Sequence, residues 1–190
     1  MKFSYNWVKE CTRIKETPQK LAEALALHSF EVSGIQKIGE DYVLDITLPP
    51  NRVPDASGHM GMAREIAAVL NTAYKASIAK LKEDKKRRSQ DVLKISIQNP
   101  LACRRYLGRV IQNIIITDSP KWIQEKLIAC GLRPINNIVD ATNYIMLETG
   151  QPLHIFDLDK IEGGEINIRM ARVGERMKTL DQQDIVLTID

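Results

Sequence analysis

The spacing of apolar residues changes along the chain, and each change predicts an element. Ser4 stands before a short helix through Cys11, and Thr17-Pro18 is an N-cap followed by a proline whose missing N–H costs nothing in the first turn. Leu21 and Leu25 share one face of that second helix. Over 42–48 the period drops to two, with Val43, Asp45 and Thr47 opposite Leu44, Ile46 and Leu48, and Pro49-Pro50 ends the strand. A third helix follows, capped by Asp55 or Ser57, with Met62, Ile66, Val69 and Leu70 as its buried stripe.

Beyond residue 90 strands and helices alternate. Leu93, Ile95 and Ile97 are separated by Lys94 and Ser96, which predicts a strand, and further strands are expected over 106–111 and 114–117. Ser119-Pro120 opens a helix whose Ile123, Leu127 and Cys130 face inward until Gly131 stops it, and another helix is expected over 137–148. Ile166, Ile168 and Met170 alternate with Asn167 and Arg169, a turn falls near Gly174, and a last strand is expected over 185–189. A sheet whose last strand meets the C-terminus suggests a missing partner edge or a larger domain. The expected fold class is α+β: a small helical N-terminal domain with one short strand (1–78), a linker (79–90), and an incomplete mixed α/β domain (91–190).

Of the 190 residues 44% are hydrophobic and 27% charged, the balance of an ordinary globular chain and not of a disordered or collagenous one. No apolar run approaches the ~18–20 residues that span a bilayer, and the opening Met1-Lys2-Phe3-Ser4 lacks a signal peptide's apolar stretch, so a cytoplasmic location and no membrane partner are expected. The three cysteines and three histidines are scattered without ligand spacing, so reduced thiols and no metal site are expected. The net charge of +3 is concentrated in Lys80, Lys82, Lys85, Lys86, Arg87 and Arg88, leaving the remainder near neutral. Such a run is a solvated linker or a phosphate-contacting patch, and on the second reading Lys85, Lys86, Arg87 and Arg88 would touch RNA. A G-x-x-x-x-G-K-[ST] loop, a G-x-G-x-x-G turn and a G-x-S-x-G elbow are all lacking.

Two stretches are unusual. Residues 49–66 hold Asn51-Arg52-Val53-Pro54-Asp55 and His59; they read as a proline-stiffened turn into a helix, or as a contact surface with Arg52 and Arg64 as donors. In residues 131–157, Asn136, Asp140 and Asn143 lie at i, i+4 and i+7, on one helix face. Either Asn136 caps the helix while Asp140 and Asn143 tie down loops, or the three line a polar pocket closed by Gln151 and His154 around a small polar substrate.

These stretches, with Ser4-Tyr5-Asn6-Trp7-Val8-Lys9-Glu10 and Arg105-Tyr106-Leu107-Gly108-Arg109-Val110, resemble the N-terminal part of the bacterial phenylalanyl-tRNA synthetase β subunit across essentially the whole chain. The resemblance implies an α2β2 ligase that joins phenylalanine to tRNA(Phe). The α subunit would make the bond using ATP and magnesium, with no cofactor in this chain and no DNA partner. The β subunit would supply tRNA contacts and an editing site that hydrolyses tyrosine wrongly joined to the tRNA. Residues 91–190 would be the first part of the editing domain, with Asn136, Asp140, Asn143 and Gln151 at the pocket and His154, in a motif like Gly-Gln-Pro-x-His, contributing to the hydrolysis.

The sequence also departs from the family it resembles. Relatives usually insert an oligonucleotide-binding barrel between the second helix and the following strand, where residues 35–42 here pass directly across. The Asn-Arg-Pro-Asp motif is one residue longer, and family chains continue several hundred residues further. Alone, this chain is therefore expected to be a weak tRNA binder without aminoacylation activity. The competing readings are a free-standing relative that binds an amino acid or a protein without catalysis, and an autonomous hydrolase of mischarged tRNA.

Overall fold

A computed structural model describes residues 1–75, 81–84, 86–179 and 181–188. Strand β1 (Lys2–Ser4) runs straight into helix α1 (Tyr5–Cys11), where the Ser4 hydroxyl accepts from the Trp7 N–H as the sequence predicts. Helix α2 (Pro18–His28) starts on the Thr17 cap. The chain then forms a hairpin of β2 (Glu31–Ile38) and β3 (Asp41–Thr47), and β1 adds to the far edge of β3, so the antiparallel sheet has the order β1-β3-β2.

One short strand was expected here and three are present. β1 has only three residues, too few to show a period, and the polar positions of β2 hide its alternation. The hairpin closes at the place where relatives are expected to carry the barrel. Ile38 pairs with Asp41 across Gly39-Glu40, and Gly39 has φ +58°, a value that suits glycine at the first loop position. Asp41 then ties the hairpin end to α1 by accepting from the Ser4 hydroxyl and from the Asn6 N–H at 3.0 Å. Phe3, Val8, Leu21, Leu25, Phe30, Leu44, Ile46, Met62 and Ile66 form the buried core between this sheet and its helices.

Helices α3 (Val53–Ala56) and α4 (His59–Val69) follow, with Met62 and Ile66 buried as predicted. The cap of α4 is neither Asp55 nor Ser57 but Gly58, which bonds through no side chain. Asp55 is occupied with Arg52, and Gly58 is required because a Cβ there would strike the backbone of Glu148, Thr149 and Gly150. Gly58→Ala should therefore cost about 1–3 kcal/mol through overpacking against backbone that cannot rotate away. A urea midpoint unchanged from that of the parent would contradict this close approach.

Contacts divide the chain into Met1–Lys80 with Ile115–Ile155, and Leu81–Ile114 with Phe156–Asp190. Helices α5 (Lys121–Ala129) and α6 (Asn137–Thr149) thus pack in the unit that holds α1 and α4, whereas a strictly linear division placed them after the linker. In the other unit β4 (Lys94–Ile97) pairs in parallel with β5 (Glu165–Ile168), and β6 (Arg176–Lys178) forms a hairpin with β7 (Asp184–Val186).

The strands expected over 106–111 and 114–117 are not formed. A strand needs a neighbour to take its N–H and C=O groups, and among the described residues nothing forms a ladder with these stretches, whose Leu107, Ile111, Ile115 and Ile116 are exposed. In the basic run Lys82, Lys86, Arg87 and Arg88 are exposed, while Lys80 and Lys85 lie outside the described residues. No helix of the described residues is long and apolar enough to cross a membrane.

Candidate functional site

Helix α6 is built from its first turn. The Asn136 side chain accepts from the Ile138 and Val139 N–H groups, both at 3.0 Å, which meets two of the donors that a helix start leaves bare. Asp140 is fully buried, and its carboxylate accepts from the Ser119 hydroxyl and from the Ile135 N–H at 2.8 Å. Asn137 adds a bond from its amide to the Ile115 carbonyl at 2.9 Å. Asn136 and Asp140 therefore come together around the helix start, with their side-chain oxygens turned to protein groups. Asn143 is half-buried on the same helix.

The other candidates follow the helix. Gly150 takes the left-handed conformation, φ +79°, and its N–H reaches the Met146 carbonyl at 2.8 Å. Gln151 is exposed; its N–H donates to the Thr149 hydroxyl at 3.2 Å and its side chain to the Pro152 carbonyl at 3.3 Å. His154 is exposed in the irregular segment beyond.

The residues against which α6 rests form a group that sequence reasoning did not assemble. His59 is 1% exposed, its Nε2 accepts from the Ser4 N–H at 3.0 Å, and its Nδ1 donates to the Leu147 carbonyl at 2.7 Å. Only the neutral ring protonated on Nδ1 serves both partners, and burial pushes its pKa down to about 4. Trp7 stacks on this ring with centroids 4.0 Å apart and on Tyr144 at 4.7 Å. The Lys126 ammonium lies 4.7 Å from the Trp7 ring centroid and 2.7 Å from Glu10. Half-buried Cys130 lies 3.8 Å from His59 Nε2, and burial pushes its thiol up to about 11, which favours the protonated form. No local pattern announces this group, because its members are far apart in sequence.

Arg52 is held within the fold. It forks onto Asp55 at 2.9–3.2 Å, reaches Glu65 at 2.7 Å and lies over the Phe30 ring. The guanidinium holds the Asp55 carboxyl below its usual range. These bonds make the Asn51–Asp55 turn a packing element that joins α3 to α4.

Residues 102–190 match the B3/4 domain. The phenylalanine–tRNA ligase β subunit of Carboxydothermus hydrogenoformans is 47% identical over 156 residues, which cover 81% of this chain and 19% of the relative. That of Anaeromyxobacter dehalogenans is 45% identical over 151 residues, 80% of this chain and 19% of the relative. The Rhodopirellula baltica β subunit is 36% identical over 184 residues, 97% of this chain and 27% of the relative. The chain is similar to the N-terminal part of phenylalanine–tRNA ligase β subunits. It spans about a fifth to a quarter of their length, 19% and 27% in the cases above.

Proposed function

We propose that this chain acts as the N-terminal part of a phenylalanine–tRNA ligase β subunit, in the cytoplasm, supporting both tRNA aminoacylation and hydrolysis of tyrosyl-tRNA(Phe) within an α2β2 assembly. The observation that carries this reading is the similarity to such a subunit through 97% of the chain. Editing has a physical reason. Tyrosine differs from phenylalanine by one hydroxyl, and an apolar pocket rejects such an addition by only about 100-fold. A second, hydrolytic site then supplies the remaining selectivity.

Hydrolysis of the ester needs a positioned water and donors for the developing oxyanion, tasks that imidazole and amide groups can perform. In this reading Asn136 and Asp140 hold the frame of the pocket, because their side-chain oxygens accept from backbone N–H groups at the start of α6. Asn143, Gln151 and His154 are the groups offered to substrate, with His154 orienting the ester or the water. ATP and magnesium would be bound by the α subunit. Lys85, Lys86, Arg87 and Arg88 would add salt-sensitive contacts to the tRNA backbone; Arg88 is part-neutralised by Asp91 at 3.4 Å.

The test is co-expression with the α subunit, followed by His154→Ala in the assembled enzyme. Tyrosyl-tRNA(Phe) hydrolysis should fall by about 100-fold while phenylalanine attachment stays within about twofold. Unchanged hydrolysis would remove His154 from the editing site, and failure of a full-length β subunit carrying this segment to copurify with the α subunit would remove the assembly.

A further inference from the structure

The buried His59 ring takes no part in the chemistry above, yet it bonds to the helix end that leads into the Gln151–His154 segment. An α-helix leaves its last four carbonyls without partners inside the helix, and to continue α6 the Leu147 carbonyl would have to accept from the Gln151 N–H. It accepts instead from His59 Nδ1–H at 2.7 Å. The Gln151 N–H goes to the Thr149 hydroxyl, which itself donates to the Ile145 carbonyl at 2.7 Å. Met146, one residue earlier, receives the N–H of left-handed Gly150. The imidazole thus occupies the acceptor that another turn of helix would use, and the chain leaves the helix axis at Gln151.

Two features hold the ring at this acceptor. Nε2 is fixed by the Ser4 N–H, and the ring is clamped by the Trp7 stack, so it can neither rotate nor change tautomer without losing a partner. The residue before it, Gly58, lies so close to residues 148–150 that no side chain fits between them, and Gly150 is equally close to Ser57 and Gly58. The N-terminal end of α4 therefore bears on the last turn of α6 through a steric contact and a hydrogen bond side by side.

We propose that His59 is a positioning residue for editing: by capping the Leu147 carbonyl it ends α6 at Gly150 and sets the direction in which Gln151 and His154 are presented. The proposal rests on the role given to His154 under the proposed function.

Two conservative variants separate the two bonds of the ring. An asparagine amide can stand where Nδ1 stands, so His59→Asn keeps the donor to Leu147 and gives up Ser4. A glutamine reaches to the Nε2 position, so His59→Gln keeps the acceptor for Ser4 and leaves the Leu147 carbonyl bare. In His59→Gln, amide hydrogen exchange over 151–155 of the full chain should quicken by about 10-fold relative to α1. In the assembled enzyme, kcat for tyrosyl-tRNA(Phe) hydrolysis should fall by about 10-fold with KM and phenylalanine attachment little changed, since misplacement of a positioned group acts on the chemical step. His59→Asn should resemble the parent in all of these.

Thr149→Val is a surface change that removes the acceptor of the Gln151 N–H without touching the core, and it should reproduce the faster loop exchange even if His59→Gln does not fold. Equal behaviour of the two His59 variants, exchange raised evenly through α1 and α4, or an unaltered loop in Thr149→Val would each overturn the proposal. If His154→Ala leaves hydrolysis intact, the editing role of His154 fails, while the exchange comparison still decides whether His59 directs the loop.

Discussion

Truncation of Trp7 to alanine should destabilise the unit formed by 1–80 and 115–155 by about 3–5 kcal/mol, the range for deleting a buried aromatic side chain. The indole is 1% exposed and stacks on both His59 and Tyr144. Its loss opens a cavity, removes two ring contacts worth about 0.5–1.5 kcal/mol each, and uncovers the Lys126 ammonium. It also removes the ring contacts that α1 makes with His59 of α4 and Tyr144 of α6. Urea unfolding followed by the fluorescence of the remaining Trp122 measures the effect, and Trp7→Phe should recover a large part of it. A loss below about 1 kcal/mol would show that the aromatic stack is not what joins these helices.

Acid should destabilise the same unit before its carboxylates titrate. The folded chain holds His59 neutral down to about pH 4, against an ordinary value of 6.5. Between these values the unfolded chain binds a proton that the folded chain refuses, so the stability due to neutral His59 is complete above pH 6.5 and declines as pH falls toward 4. The whole loss is about 3 kcal/mol, and below pH 4 this group adds no more. The first cause is burial, which penalises the charged ring, and the nearby Lys126 charge adds to it; a charged ring would also aim an Nε2–H at the Ser4 N–H. Asp55 and Glu65, both depressed, and Glu175, held at about 2 by Arg169, lose their contributions in a lower window. Unfolding free energies at pH 7 and pH 4.5 should differ by about 2 kcal/mol or more in the parent and by much less in His59→Gln. An equal slope in both proteins would assign the acid sensitivity elsewhere.

What could be read from the amino-acid order was information carried by neighbours. Ser4, Thr17-Pro18 and Asn136 start helices in the structure because a cap bonds to an N–H two or three residues away, and Gly131 and Gly150 stand just past helix ends, where the positive φ each adopts suits glycine. The strands over 41–47, 94–97 and 165–168 were legible because alternation shows within four or more residues. The Asn136 cap and the order Gly150-Gln151-Pro152-Leu153-His154 were equally visible, and so was the likeness to a synthetase β subunit.

Everything that depends on residues distant in sequence had to come from the fold. β1 is a strand because β3 lies beside it, and 106–117 is not one because the described residues offer it no ladder. Asp140 could be a pocket group or a tether until Ser119 and Ile135 were found on its oxygens. His59 lies 55 residues from Ser4 and 88 from Leu147 along the chain, and the association of 115–155 with the first helices rests on such pairs. Local spacing sets the elements because backbone bonds and caps reach only a few residues. Which elements meet is decided by burial of apolar rings and by the pairing of buried polar atoms, and those energies do not depend on separation along the chain.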